Sequence, residues 1–494
     1  MGIIQQQTIK GSIYSYLGIF VGFITTFLVQ PHAISTEEVG LIGLLGPYSL
    51  MFAQFASLGF NGTVRYFPYF RSEENKHHGY LFLSCMVAMV GMTIFVLLAW
   101  IFKEEIISQK SQRSTLISRY YWYLVPLTFF TLFFNVFNLY ARMLFNVITG
   151  TVLSEFVKRL LVLVPFFLIY FKLIDFDVFM VLWLVANILP TILLMHKLIR
   201  DNQFHLAPNF KFLQPEMVKK LVGISVFAMI TGYAPLLLQN VDTYFVNKEY
   251  GLSETGVYVI AFFMANVIGV PSRALSNIAF TIVAEAWKSE DRPKISELYA
   301  KSCINQLISV LFLFLLIWAN IDHVFKFLGP EYSAGKYVVF FIGIGCFIDS
   351  ATGINAIVIG TSKYFKYDSY FYVLLVGITI VLNILLIPIY GITGAAIAYA
   401  IAMAIFNLGR YLFVLLVFNM QPFTYKSPLA ILVGVVIYYL AIYCVPGDQM
   451  NWFLNGFLRC ALITLLYGPA IYFLKISVDI NRFVDKYLGV RAAS

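Results

Sequence analysis

The run "NVIGVPSRALSNIAF", residues 266–280, places Arg273 inside an apolar stretch that meets no other basic residue before Lys288. A guanidinium stays charged at any working pH, and its planar fork of donors matches phosphate oxygens two at a time. Asn266, Arg273 and Asn277 fall on one face of a continuous helix. The same pattern recurs elsewhere. Gln54, Ser57, Asn61 and Arg65 follow i, i+3, i+7, i+11 spacing, and Thr128, Thr131, Asn135, Asn138 and Arg142 form a second stripe. Gln239, Asp242 and Thr243 lie together, as do Asp349, Thr352 and Asn355. Polar groups at bilayer depth are costly and face a bundle interior or a wet cavity, so the pattern predicts an aqueous path with a cationic lining. Such a lining favours an anionic substrate, a diphosphate in particular. Blander readings stay open: helix-to-helix hydrogen bonds for the amides, snorkelling for Arg65 and Arg142, and an ion pair of Arg273 with Asp242 or Asp349.

Other motifs carry less chemistry. Asp242 and Asp349 are the clear interior carboxylates, too few for a cavity built around cations. The five cysteines show no metal-like spacing and read as buried, inert side chains. His77–His78 reads as a solvated pair in a charged loop, and "DFD" (175–177) as a chance match to a metal-binding pair. No phosphate-binding Walker loop is present, so ATP is not expected as the direct energy source. Pro271 frees the carbonyl of Val267 and offers a hinge beside Arg273.

The elements that must position these residues are membrane helices. The chain is 60% hydrophobic, only 12% charged, and has a mean hydropathy of +0.81, against about 25% charged for soluble domains. Apolar runs predict an all-α integral membrane protein of about 14 spans. Their ranges are 11–30, 39–64, 79–102, 120–145, 152–172, 176–199, 218–246, 255–285, 302–321, 335–360, 369–389, 392–418, 428–445 and 453–474. Lys and Arg concentrate in the even-numbered loops, although 103–115 is a basic exception. That asymmetry predicts cytoplasmic termini and accounts for most of the +9 net charge without nucleic acid. The polar stretch 200–217 reads as a linker. "TEEVGLIG" (36–43) and "LSETGVYV" (252–259) align Glu38 with Glu254 and Gly40 with Gly256, six helices apart, as repeated transporter lobes would. The expected organisation is an N-terminal lobe over 1–205, a C-terminal lobe over 206–420, and two extra helices with a tail over 421–494.

Three segments carry a family resemblance: "TEEVGLIGLLGPYSLMFAQFASLGFNGTVRYFPYF" (36–70), "NVDTYFVNKEYGLSETGVYVIAFFM" (240–264) and "GPEYSAGKYVVFFIGIGCFIDSATGINAIVIGTSKYFKY" (329–367). With the turn "IPIYGITGAAIAYAI" (387–401), the chain resembles the O-antigen and capsule-type oligosaccharide flippases of the multidrug/oligosaccharidyl-lipid/polysaccharide exporter superfamily. The resemblance implies two pseudo-symmetric six-helix lobes enclosing a central cavity. The implied activity is alternating-access transfer of undecaprenyl-diphosphate-linked oligosaccharide across a bacterial cytoplasmic (inner) membrane, for lipopolysaccharide or capsule. Membrane lipids, a polysaccharide polymerase and other export components are the implied partners. No cofactor is expected; coupling to a proton or sodium gradient is open, with Asp242 and Asp349 as candidate sites. The chain is not expected to be an enzyme. A cation-coupled drug antiporter and a lipid II flippase of the same superfamily remain alternatives, and a glycan polymerase or ligase is the reading from another class. Residues 11–30 lack the cavity arginines of the first helix in lipid II flippases, which favours a surface glycan unit. Arg273 lies on no matched family motif.

Overall fold

A computed structural model describes residues 3–104, 115–446 and 451–488. The basic stretch 103–115 and the side chains of Gln239 and Asn277 fall largely or wholly outside the described residues. Among these residues the fold is helical, with no strand.

Among the described residues, eleven helices are long and apolar enough to cross a membrane. They are α1 (Ile13–Ala33), α2 (Thr36–Ala56), α3 (Lys76–Ile101), α4 (Thr115–Met143), α6 (Phe176–Arg200), α9 (Arg292–Ala319), α10 (Pro330–Ala351), α11 (Phe365–Tyr390), α12 (Ile392–Phe418), α13 (Lys426–Cys444) and α14 (Trp452–Phe473). Three expected spans are also helical but differ in kind. The fifth, α5, runs over 148–170 through a π-helical turn, Val152–Val157, and carries Glu155, Lys158 and Arg159 in its middle. The seventh, α7, is the long helix Pro215–Tyr250. The eighth is two helices, α8a (Leu252–Val267) and α8b (Val270–Lys288). The expected continuous span over 255–285 is therefore broken at Ile268–Gly269. Pro271 supplies the reason: without an N–H it cannot bond back to Val267, and it sits in the first turn of α8b, where that donor is not required.

The chain forms two compact units, Met1–Val259 and Ile260–Ser494. In the first, Phe67, Phe70, Tyr80 and Tyr140 build a buried aromatic cluster, with Phe67 and Tyr80 ring centroids 5.1 Å apart. His77 belongs to it. It is only 2% exposed, it lies 3.2 Å from Gln203 Oε1, and it accepts from the Ser72 N–H. His78 stacks on Phe212 at 4.0 Å. The reading of a solvated pair is thus corrected: backbone with positive φ at Lys76, His77 and His78 folds the loop back under α3. In the second unit, α13 and α14 pack on α9 through Ala430, Ile437, Ile463 and Tyr467 against Leu307, Leu311 and Leu315. Gly391 makes the α11–α12 turn at φ +62, a conformation that favours glycine. Cys303 and Cys346 are buried as expected, whereas Cys444 is exposed at the end of α13.

Within the first unit, α2 and α8a start side by side. A Cβ on Gly40 would lie 2.0 Å from the Leu252 carbonyl oxygen, and a Cβ on Gly256 would lie 2.0 Å from that of Thr36. These are the aligned positions of the two quoted repeats, each glycine admitting the backbone of the other segment. The Thr36 and Ser253 hydroxyls meet at 2.7 Å beside the crossing. Ser35 and Glu38 cap α2 reciprocally, which fixes where the helix begins.

Candidate functional site

The break in the eighth span decides what Arg273 does. At the end of α8a, Ile268 and Gly269 donate to the carbonyls of Ala265 and Asn266 at 3.1 and 3.2 Å, a tightened last turn. Arg273 Nη2 reaches back and donates to the same Asn266 carbonyl at 2.9 Å. The guanidinium therefore sits at the negative end of the α8a dipole, where a cation is favoured by roughly 0.3–1 kcal/mol. Among the described residues Arg273 is in no ion pair, and within the second unit the alternative pair with Asp349 is not formed. Its side chain is exposed, and its other donors are available to a second acceptor. The shared face with Asn266 is also revised. The two residues are on different helices, and the Asn266 amide turns back to donate to the Phe262 carbonyl at 2.9 Å.

The other stripes divide similarly. The helix-two face is interrupted where α2 ends at Ala56 and Leu58 and Gly59 adopt positive φ, before the 3-10 turn Phe60–Tyr66. Gln54 and Asn61 remain neighbours across it, 3.5 Å apart, and Arg65 is exposed. The α4 stripe is continuous: Asn135 is half-buried and Arg142 exposed. The Asn138 side-chain oxygen packs on Gly150, where a Cβ would lie 1.7 Å from it.

The carboxylates contrast. Asp242 is 2% exposed and accepts from the Tyr258 hydroxyl at 3.1 Å. Asp349 is exposed and accepts from the Asn407 amide at 3.0 Å. Asn407 in turn accepts from Thr352 at 2.8 Å and Asn355 at 3.4 Å, so the third polar stripe converges on one residue of α12. One turn along α12, buried Arg410 pairs with Asp368 at 2.5 Å and lies 3.9 Å from the Phe406 ring. The "DFD" acids are structural: Asp175 caps α6, and Asp177 pairs with Arg119 and Tyr120. No group of three metal-ligating side chains occurs among the described residues.

Sequence reading passed over Glu155, Lys158 and Arg159. The signal was present: three charges at helical spacing inside a span otherwise as apolar as its neighbours.

Helices of membrane-crossing length, with charges inside the fifth and a break in the eighth, define a multi-pass membrane protein. Residues 8–287 match the polysaccharide biosynthesis protein family, and the chain belongs to that family. No curated protein matches it. Among solved structures it is similar to the lipid II flippase MurJ in an inward closed conformation, at 15% identity, covering 95% of this chain and 99% of that one, with a TM-score of 0.71. It is also similar to an inward-facing multidrug resistance MATE family transporter of the MOP superfamily, at 12% identity, covering 81% and 97%, with a TM-score of 0.62. A MOP superfamily transporter from Pyrococcus furiosus, described as having a binding pocket of reverse polarity, gives 11% identity, 83% and 95% coverage and a TM-score of 0.56. At these identities the likeness concerns the fold.

Proposed function

We propose that the protein is a flippase that carries an undecaprenyl-diphosphate-linked oligosaccharide from the inner to the outer leaflet of a bacterial cytoplasmic membrane. The observation that carries the reading is Arg273: a permanent cation in a broken membrane helix, exposed, in no ion pair among the described residues and tethered by one donor to a backbone carbonyl. Membership of the polysaccharide biosynthesis family supports the substrate class.

In this reading the diphosphate engages Arg273 while the polyprenyl chain stays in lipid. Arg65, Arg142, Asn61, Asn135, Gln54 and Gln239 are the further proposed contacts for phosphate and sugar. Both termini are cytoplasmic. Alternating access moves the headgroup outward, and with a negative interior the export of two negative charges is favourable by roughly 4.6 kcal/mol per 100 mV. Proton or sodium coupling would fall to Asp242 or to Asp349 with its Asn407 partner.

Deletion followed by analysis of lipid-linked sugars tests the proposal. A complete oligosaccharide unit accumulating on the inner leaflet is the expected result. Unchanged lipid-linked pools would refute it.

A further inference from the structure

The charges of α5 lie on a particular side of that helix. Its exposed apolar residues Leu160, Val164, Phe167 and Phe171 follow i, i+4, i+7, i+11 spacing and form the lipid-facing stripe. Lys158 lies roughly opposite that stripe at 100° per residue, together with buried Pro165, and Glu155 precedes it in the π-helical turn. Arg159 shares its side with buried Phe166, which packs on Phe179 of α6 at 4.9 Å. The helical run 148–170 is about 34 Å long at 1.5 Å per residue, so these charges sit near mid-membrane. Charged groups there face a bundle interior or water.

Glu155 and Arg159 form a 3.1 Å ion pair with side chains 41% and 35% exposed. Both side chains are thus open enough to be reached by a polar ligand. Lys158 is in no ion pair among the described residues, which leaves one cation in excess. The adjoining helix α1 is built to let this happen. A Cβ on Gly18 would lie 1.9 Å from the Glu155 carbonyl oxygen, and one on Gly22 would lie 3.1 Å from Arg159 Nη1. Glycines spaced i, i+4 bring α1 onto α5, and the guanidinium occupies the place a side chain of α1 would take. The π-helical turn Val152–Val157 is the local irregularity that accommodates the approach.

We infer that Lys158 and Arg159 form an oxyanion-binding site of the first unit, with Glu155 orienting Arg159 and Lys158 supplying the uncompensated charge. The inference rests on the flippase reading for its ligand: the oxyanion is a phosphate of the lipid carrier or a carboxylate of the sugar.

The test is binding to the full chain in nanodiscs, measured by native mass spectrometry with undecaprenyl diphosphate and, separately, with free glucuronate. Lys158→Met should weaken undecaprenyl diphosphate at least tenfold if phosphate is the ligand, or weaken glucuronate alone if the sugar carboxylate is. Lys158→Arg should restore either. Unchanged affinity of Lys158→Met for both probes overturns the site while leaving the flippase reading intact. A wild-type chain that binds neither probe overturns both. If the melting temperature of Lys158→Met falls, Lys158→Gln takes its place under the same criteria.

Discussion

The eighth span meets its surroundings in opposite ways at its two ends. At its start, Gly40 and Gly256 let two backbones approach so closely that a Cβ on either would stand 2.0 Å from a carbonyl oxygen. Beside the crossing, Ser35 and Glu38 cap α2 and the Thr36 and Ser253 hydroxyls meet each other. At its far end the helix stops in mid-span, and the Asn266 carbonyl, which already accepts from the Gly269 N–H, also accepts from a charged side chain of the next segment. Close packing tolerates no added atom. A broken helix needs a polar group to complete it, and a group that completes it with one donor keeps others for a ligand.

The comparison is most sharply broken at the crossing. Gly40→Val or Gly256→Val should cost about 3 kcal/mol, the upper end of overpacking penalties, because the obstacle is backbone that cannot rotate away. Thermal unfolding in detergent would read this, with Gly46→Ala, which meets nothing within 4 Å, as the silent control. Unchanged melting of the valine variants would mean the crossing is not tight.

Arg273→Ala is the next largest effect. Losing a charge-assisted hydrogen bond worth about 1.5–3 kcal/mol should cut export tenfold or more while the protein still inserts, and Arg273→Lys should recover part. Full export by Arg273→Ala would reduce the arginine to a helix cap. Thr36→Val removes one hydroxyl contact beside the crossing and should lower stability by about 1 kcal/mol. A measured loss above that of the glycine variants would invert the ranking of packing over hydrogen bonding.

The smallest effect is expected at Gly269. It has helical φ and ψ, and a Cβ there would meet only the Asn266 carbonyl oxygen at 3.7 Å. Gly269→Ala should therefore be neutral or stabilising by up to about 1 kcal/mol. A clear loss of stability would assign the break to the glycine, and the role given to Pro271 would fall.

The sequence by itself determined the class and the approximate placement of the helices, and it singled out Arg273 as a cation inside an apolar run. Hydropathy sets what must lie in lipid, and a cation among such residues is conspicuous without coordinates. The alignment of Gly40 with Gly256 was equally legible, but not that the two positions pack on each other, since contact across more than 200 residues is a property of the fold. Tertiary structure alone decided that the eighth span breaks before Pro271, that the helix-two stripe ends at Leu58, and that His77 is buried. Each depends on where freed backbone groups find partners, and periodicity assumes an unbroken helix. The α5 charges lay between the two. Their residue types were visible in sequence, but only the exposed stripe beside them showed which way they face.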